Sequence, residues 1–159
     1  MTPAWADRLL PADAALLARC FPDGRADLGG SLLRALRLDR VGPACSLRLD
    51  LPGDGPESTQ AHLGMLAVAD VELAGGALPQ RVDVEITDRP GHRVAVVVTG
   101  ASLRLTLTCA EVLRFGRVSA HDTPPGAVDD GPHRFVGKLD QRLHRVVPGP
   151  EDENYHARF

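Results

Sequence analysis

Aromatic side chains are scarce in this chain of 159 residues, at 4% of the total. The core must therefore be built mainly from Leu, Val and Ala, and few rings are available to stack on a base or a sugar. Lysine is nearly absent as well, since Lys138 is the single one and Arg supplies the other basic side chains. The formal net charge of −3 argues against a nucleic-acid-binding protein, because such proteins neutralise phosphates with Lys and Arg.

Cysteine is also sparse, and the chain lacks long apolar runs. Cys20, Cys45 and Cys109 are far apart and form no C-x-x-C pair, which predicts reduced thiols in a cytoplasmic protein. No apolar run approaches about 20 residues, so no membrane-spanning helix is predicted. The N-terminal stretch has no basic start followed by an apolar segment, so no signal peptide is predicted there.

Motifs for catalysis and for phosphate binding are missing. No G-x-S-x-G elbow and no G-x-x-x-x-G-K loop occurs. His121, Asp122 and His133 are close in sequence, but the Pro- and Gly-rich segment between them provides no spacing that fixes a metal geometry. The sequence therefore carries no catalytic signature, and no metal or cofactor is predicted.

Helical signals are confined to the first part of the chain. "PAWADRLL" predicts a short helix with Thr2 as its cap and Pro3 in its first turn. Pro11 ends that helix, and Asp13 is placed to cap a second one, "AALLARC". Trp5 is either a buried staple for the N-terminal helix or an interface anchor, and the first interpretation is favoured.

Alternation of apolar and charged residues begins at Leu32 and predicts strands. "LRLDRV" and "SLRLDLP" flank a Gly-Pro turn and form a predicted hairpin whose charges, including Asp39 and Asp50, face solvent. "AHLGM" is compatible with helix or strand, and "VELAGG", "QRVDVEITD", "HRVAVVVTG", "ASLRLTLTCAEV" and "LRFGRVSAH" read as further strands. "VAVVV" suggests a central strand covered on both faces by the N-terminal helices.

The predicted fold is α+β, with short N-terminal helices packed on a mostly antiparallel sheet of about six or seven strands. The predicted domain spans residues 1–121. Residues 122–159 are predicted to be a Pro- and Gly-rich linker and tail, within which "VGKLDQRLHRVV" docks as a helix or an edge strand.

Carboxylates take outward positions on the predicted strands. They are Asp39, Asp50, Glu72, Asp83 and Glu85. Arg37, Arg48, Arg81 and Arg104 share that side, so cross-strand ion pairs on a solvated face are the favoured interpretation, and a dedicated acidic patch is the alternative.

Two parts of the chain resemble the bacterial immunity protein 50 family. The first combines "PAWADRLL", "FPDG" and "LLRALRLDRVGPACSLRLDLPG", and the second is "RVDVEI…VAVVVTGASLRLTLTCAEVLRFGRVSAH". The matching positions are Trp5, Phe21, Leu36, Leu38, Leu47, Leu49, Asp50, Leu51, Pro52, Leu105, Cys109 and Val118. The middle segment lacks the aromatic residues of the family pattern.

The resemblance implies a cytoplasmic, non-enzymatic protein of a polymorphic toxin system that binds a cognate toxin and blocks its active surface. A toxin that acts on nucleic acid has a basic groove, which an acidic patch would meet by steered association. Asp39, Asp50, Asp83 and Glu85 are the predicted partner-binding residues. The alternatives are a structural or regulatory interaction module and a small-ligand-binding domain.

Overall fold

The computed structural model describes residues 4–24, 26–53, 57–122 and 132–143. These residues form a 3₁₀ helix (Ala4–Arg8), two α-helices and nine strands. The α-helices are α1 (Pro11–Cys20) and α2 (Lys138–Leu143). The strands are β1 (Ser31–Asp39), β2 (Ala44–Leu51), β3 (Ser58–Leu66), β4 (Ala69–Gly75), β5 (Gln80–Arg89), β6 (Arg93–Gly100), β7 (Leu103–Ala110), β8 (Leu113–His121) and β9 (Arg134–Phe135). None of the described helices is long and apolar enough to span a membrane.

All nine strands belong to one antiparallel sheet with the order β4-β7-β6-β5-β1-β2-β3-β8-β9. The predicted α+β class and antiparallel pairing are confirmed, and the hairpin of the alternating stretch is β1–β2. The predicted strand number is wrong, because "AHLGM" forms a strand and the predicted linker contributes another, while "VGKLDQRLHRVV" contributes a helix. "AHLGM" lies in β3, and the region after His121 supplies the short β9 as well as α2.

The sheet curls around one apolar core. β3 and β7 have four strands between them in the sheet order, yet they approach each other in space. The inner faces of both halves enclose a single cluster that includes Leu47 and Leu63 from one half and Val96 and Leu105 from the other. Burial of these aliphatic side chains is the main driving force for such a fold.

The N-terminal helices lie on the inner side, against β8. Trp5 is 8% exposed, its ring packs 6.0 Å from that of Phe115, and its indole nitrogen donates to the Ala26 carbonyl at 3.0 Å. Trp5 is therefore a buried staple, as favoured above. Thr2 and Pro3 lie outside the described residues.

Two predictions about the helices are wrong. Asp13 does not cap α1, which begins at Pro11; its carboxylate instead accepts hydrogen bonds from Arg114 Nε and Phe115 N at 2.8 and 3.0 Å, which ties α1 to β8. The outer side of "VAVVV" is also covered only in part, since Ala95 is 8% exposed while Val97 is only half-buried, and the helices pack against β8 instead.

The region after His121 joins the same sheet where it is described. β9 pairs with β8 through Phe135 opposite Ser119 and Arg134 opposite Ala120. Residues 123–131 of the predicted linker lie outside the described residues, and so do residues 144–159, which include the predicted tail.

Candidate functional site

The curled sheet has two halves whose outer faces differ. On β1, β2, β3 and β8 the outer face is buried and polar, whereas on β4, β7, β6 and β5 it is largely exposed. The buried polar cluster is defined by Arg34, Arg48, Asp50, Gln60, Ser119 and His121, each at most 7% exposed. The open face is defined by Glu72, Asp83, Glu85, Val97, Thr99, Arg104 and Thr106.

Asp50 is the centre of the buried polar cluster. Its Oδ2 accepts a hydrogen bond from Arg34 Nε at 2.8 Å, and its Oδ1 accepts one from Gln60 Nε2 at 2.8 Å. His121 Nε2 lies 3.2 Å from the same Oδ1, and Arg48 Nε donates to Gln60 Oε1. A carboxylate this deeply buried is stable only because the charge is paired and hydrogen-bonded.

The surroundings of Asp50 set its protonation. Burial by itself would raise the pKa of the carboxyl group. Hydrogen bonds from His121 and Gln60, together with the positive charge of Arg34, outweigh burial and hold the pKa below its ordinary value. Asp50 is therefore ionised at neutral pH.

Two histidines meet at the edge of the cluster. The rings of His121 and His133 stack with centroids 4.7 Å apart, and Ser119 Oγ lies 2.6 Å from His133 Nδ1. Ser119 contacts His133 while Asp50 contacts His121, so these contacts do not link serine, histidine and carboxylate through one imidazole, as a catalytic triad requires. Within the described ranges, no group of three or more His, Cys, Asp or Glu side chains is placed to hold a metal ion.

The placement of Asp50 corrects a prediction. Alternation assigned Asp50 and Arg48 to a solvated face, but their residues are 6% and 1% exposed. Asp50 is therefore not available on the surface as a partner-binding residue. The buried polar cluster makes it a structural ion-pair centre instead.

The other three predicted partner-binding residues are exposed, in two places. Asp39 ends β1, where its carboxylate accepts a hydrogen bond from Val41 N at 3.1 Å and lies 3.7 Å from Arg37. Asp83 and Glu85 lie on β5, on the open face. The structure brings these last two together and separates them from Asp39 and Asp50.

The open face is ordered in rows that cross the strands. One row runs Glu85–Val97–Thr106–Glu72 and the next runs Asp83–Thr99–Arg104–Ala74. Neighbouring strands are roughly 4.8 Å apart, so the carboxylates of Glu85 and Glu72 flank a strip of small side chains about 14 Å wide. Arg104 lies within these rows, and Arg81 and Arg89 are exposed on the same side of β5, so this surface carries charges of both signs.

Comparisons with protein families, curated proteins and solved structures found no match to this chain. Any statement about its function therefore depends on its own residues and on the resemblance described above.

The described residues form at least two depressions, in different parts of the molecule. An open one of about 270 Å³ lies at the end of the open face, between Arg81, Asp83 and Thr99. There Asp83 Oδ1 accepts from Gly30 N at 3.0 Å and Arg81 Nη1 donates to Gly30 O at 2.9 Å. The other, of about 300 Å³, lies between the 3₁₀ helix, α1 and residues 21–26; its lining is mainly apolar, with Asp7 as its charged residue.

The buried thiols are poor nucleophiles. Burial raises the pKa of Cys45 to about 12, with a further contribution from the neighbouring Cys109. Burial raises the pKa of Cys109 to about 11, against the opposing charge of Arg93. Because the thiolate is the reactive form, both side chains act as small apolar core residues, as the apolar-face position of Cys109 predicts.

Sequence reasoning missed the buried polar cluster, and it predicted β4 as a strand without predicting its place at the edge of the sheet. A signal for the cluster exists in β3, where Gln60 and His62 alternate with Ala61 and Leu63 and can pair with the charges of β2. His121 and His133 were considered together only as metal ligands. Their stacking depends on β9, which the pattern did not specify.

Proposed function

We propose that this chain is a non-enzymatic, cytoplasmic immunity protein of a bacterial polymorphic toxin system. In this proposal it binds a cognate toxin and blocks the toxin's active surface by steric and electrostatic complementarity. The resemblance to the immunity protein 50 family supplies the class of partner. In this proposal the open face is the surface that binds the toxin.

The observation that carries the proposal is the difference between the two outer faces. The open face presents small side chains between Glu85 on one side and Glu72 on the other, with Asp83 in the adjacent row. The outer face of the other half is occupied by its own ion pairs and is not available in the same way. A broad exposed face of this kind is suited to contact with another protein rather than to enclosing a small ligand.

Charge favours a basic partner surface. The chain carries a net charge of −3, and the row Glu85–Val97–Thr106–Glu72 has a carboxylate at each end. A toxin that cleaves or modifies nucleic acid needs a basic groove, and opposite potentials speed association with such a groove. Because this attraction is screened by salt, association should slow as ionic strength rises.

The decisive experiment tests both capture and protection. The tagged protein is co-expressed with the product of the adjacent reading frame, and the complex is purified and titrated. We expect stoichiometric capture of a protein that kills cells when expressed alone. A harmless neighbour that is not retained would overturn the proposal in favour of an interaction module without a toxin.

A charge variant locates the surface. Glu85→Arg should weaken toxin binding by at least about tenfold and reduce protection, since it places a like charge against a basic groove. Asp83→Asn should have a smaller effect, because its amide oxygen can still accept the hydrogen bond from Gly30 N. Asp7→Arg, which reverses an exposed charge on the 3₁₀ helix, is the matched control and should bind normally. Equal effects of the changes at positions 7 and 85 would remove the open face from the mechanism.

A further inference from the structure

The strand β4 is one edge of the sheet. It pairs with β7 on one side, and it is the first strand in the sheet order. All seven of its residues, Ala69–Gly75, are exposed. Alternate backbone N–H and C=O groups of an edge strand point away from the sheet and are available to another strand.

The apolar side chains on the core side of β4 are only partly covered. Leu73 lies opposite Leu105 of β7, and Leu105 is fully buried, whereas Leu73 is 46% exposed. Val71, two residues earlier on the same side, is 40% exposed. The apolar layer therefore continues past β7 onto β4 and stops there without a covering strand among the described residues.

The backbone of β4 is shaped to keep a short regular edge. Pairing with β7 shifts between Ala69 and Glu72, and it is continuous from Glu72 to Gly75. Gly75 has φ +78°, and a Cβ there would lie 1.8 Å from Ser102 O, so only glycine fits this close approach. The regular part of the edge is thus held firmly against β7.

The acidic side chains of β4 favour a basic strand as its pairing partner. β4 carries Asp70 and Glu72 and no basic residue. Two copies that paired antiparallel along the whole strand would place Glu72 opposite Glu72, and like charges directly opposite each other destabilise a strand pair. Any register that separates these two side chains shortens the ladder. A strand with Lys or Arg at that position instead gains a cross-strand ion pair.

We propose that β4 accepts an extended segment of a partner protein as an added strand, with a Lys or Arg opposite Glu72 and apolar side chains over Val71 and Leu73. This deepens the proposed function, on which it rests for the identity of the partner as a toxin. Backbone pairing supplies the affinity and the alternate side chains supply the selectivity. The added strand would widen the open face, which ends at Glu72.

The test uses two synthetic peptides that alternate charged and apolar residues, one with lysine and valine and the other with glutamate and valine. Each is titrated into the whole protein, and backbone amide shifts and amide exchange are recorded. The lysine peptide should perturb and protect amides of β4 and β7, whereas the glutamate peptide should not. Glu72→Lys should weaken binding of the lysine peptide by at least about twofold and strengthen binding of the glutamate peptide, since cross-strand charge pairs have effects of this size. Asp7→Lys is the control and should change neither titration.

Three results would overturn edge pairing. They are no response of β4 to either peptide, equal responses to both, and sedimentation showing a dimer that Glu72→Lys abolishes or strengthens. If the captured toxin binds Glu72→Lys as tightly as wild type while the peptides fail, edge pairing is wrong and the proposed function stands. If no toxin is captured but the lysine peptide still selects β4, the proposed function is wrong and the edge site stands.

Discussion

Strands β2 and β5 carry the same local pattern and meet different environments. Arg48-Leu49-Asp50 on β2 and Arg81-Val82-Asp83 on β5 both alternate charge with an apolar residue. The apolar residue is buried in each case, but the β2 charges are buried with it and the β5 charges are exposed. Alternation therefore predicts which side chains share a face of the sheet. It does not predict whether that face is buried or exposed to solvent.

Substitution of Asp50 and of Asp83 should give the largest difference in stability between the two strands. Asp50→Ala should destabilise the protein by about 3–5 kcal/mol, because it leaves Arg34 and its neighbours without the carboxylate that balances them in a buried site. Asp83→Ala removes one exposed hydrogen bond to Gly30 N and should cost less than about 1 kcal/mol. Urea unfolding of both variants measures the difference. Similar losses would mean that the two outer faces are energetically alike.

Core truncations should show no difference between the halves. Leu47 on β2 and Leu105 on β7 are both fully buried in the shared core. Leu47→Ala and Leu105→Ala should each cost about 2–5 kcal/mol by loss of apolar contact and creation of a cavity. Denaturant midpoints at constant slope give the comparison. A much smaller cost at Leu105 would indicate that the open half is loosely packed.

Acid should destabilise the protein through Asp50 in the buried polar cluster. Its folded pKa lies below the ordinary value of 3.8, so its ionised form stabilises the folded state above that value. This contribution should be lost as the pH falls from about 3.8 through the lower folded pKa. The difference in unfolding free energy between wild type and Asp50→Asn should therefore be constant near neutrality and narrow in acid. A difference that stays constant down to the lowest pH at which both proteins fold would contradict the cause given for the shift.

Truncation of small polar side chains should change stability least, with opposite signs in the two halves of the sheet. Ser46 on β2 is 8% exposed, and its hydroxyl has no hydrogen-bond partner among the described residues. Ser46→Ala should be neutral or stabilising by up to about 1 kcal/mol, since it removes an unsatisfied buried group. Thr106→Ala on the open face should cost roughly 0.5 kcal/mol through lower strand propensity. Thermal unfolding midpoints resolve the two signs, and a loss at Ser46 would show that its hydroxyl is satisfied.

Much of the fold follows from the sequence, and the reason is periodicity. The β1–β2 hairpin and strands β5 and β7 alternate clearly, β6 is a short apolar run, and Gly or Pro marks the turns on either side of β6, so these strands are identified without tertiary information. β3 was ambiguous because Gly64 and His62 interrupt its apolar pattern. β9 has two residues and depends on pairing with β8, which a local pattern cannot specify.

The candidate site is only partly predictable, for a physical reason. Exposure of Asp83 and Glu85 was predicted correctly from alternation. The burial of Asp50 was not, because it depends on Arg34, Gln60 and His121, which come from three other strands. A charge whose partners are distant in sequence looks the same, in a single sequence, as a solvated charge.

The join between the two halves is narrow. β1 and β5 pair over three residue positions, Ser31 to Leu33 against Val82 to Gln80, while β2–β3 and β5–β6 each pair over eight. Under tension, or in a brief opening fluctuation, a ladder of three pairs yields before a ladder of eight. Amide protons of the β1–β5 ladder should therefore exchange faster than those of β2–β3 or β5–β6, while the shared apolar core still couples the two halves.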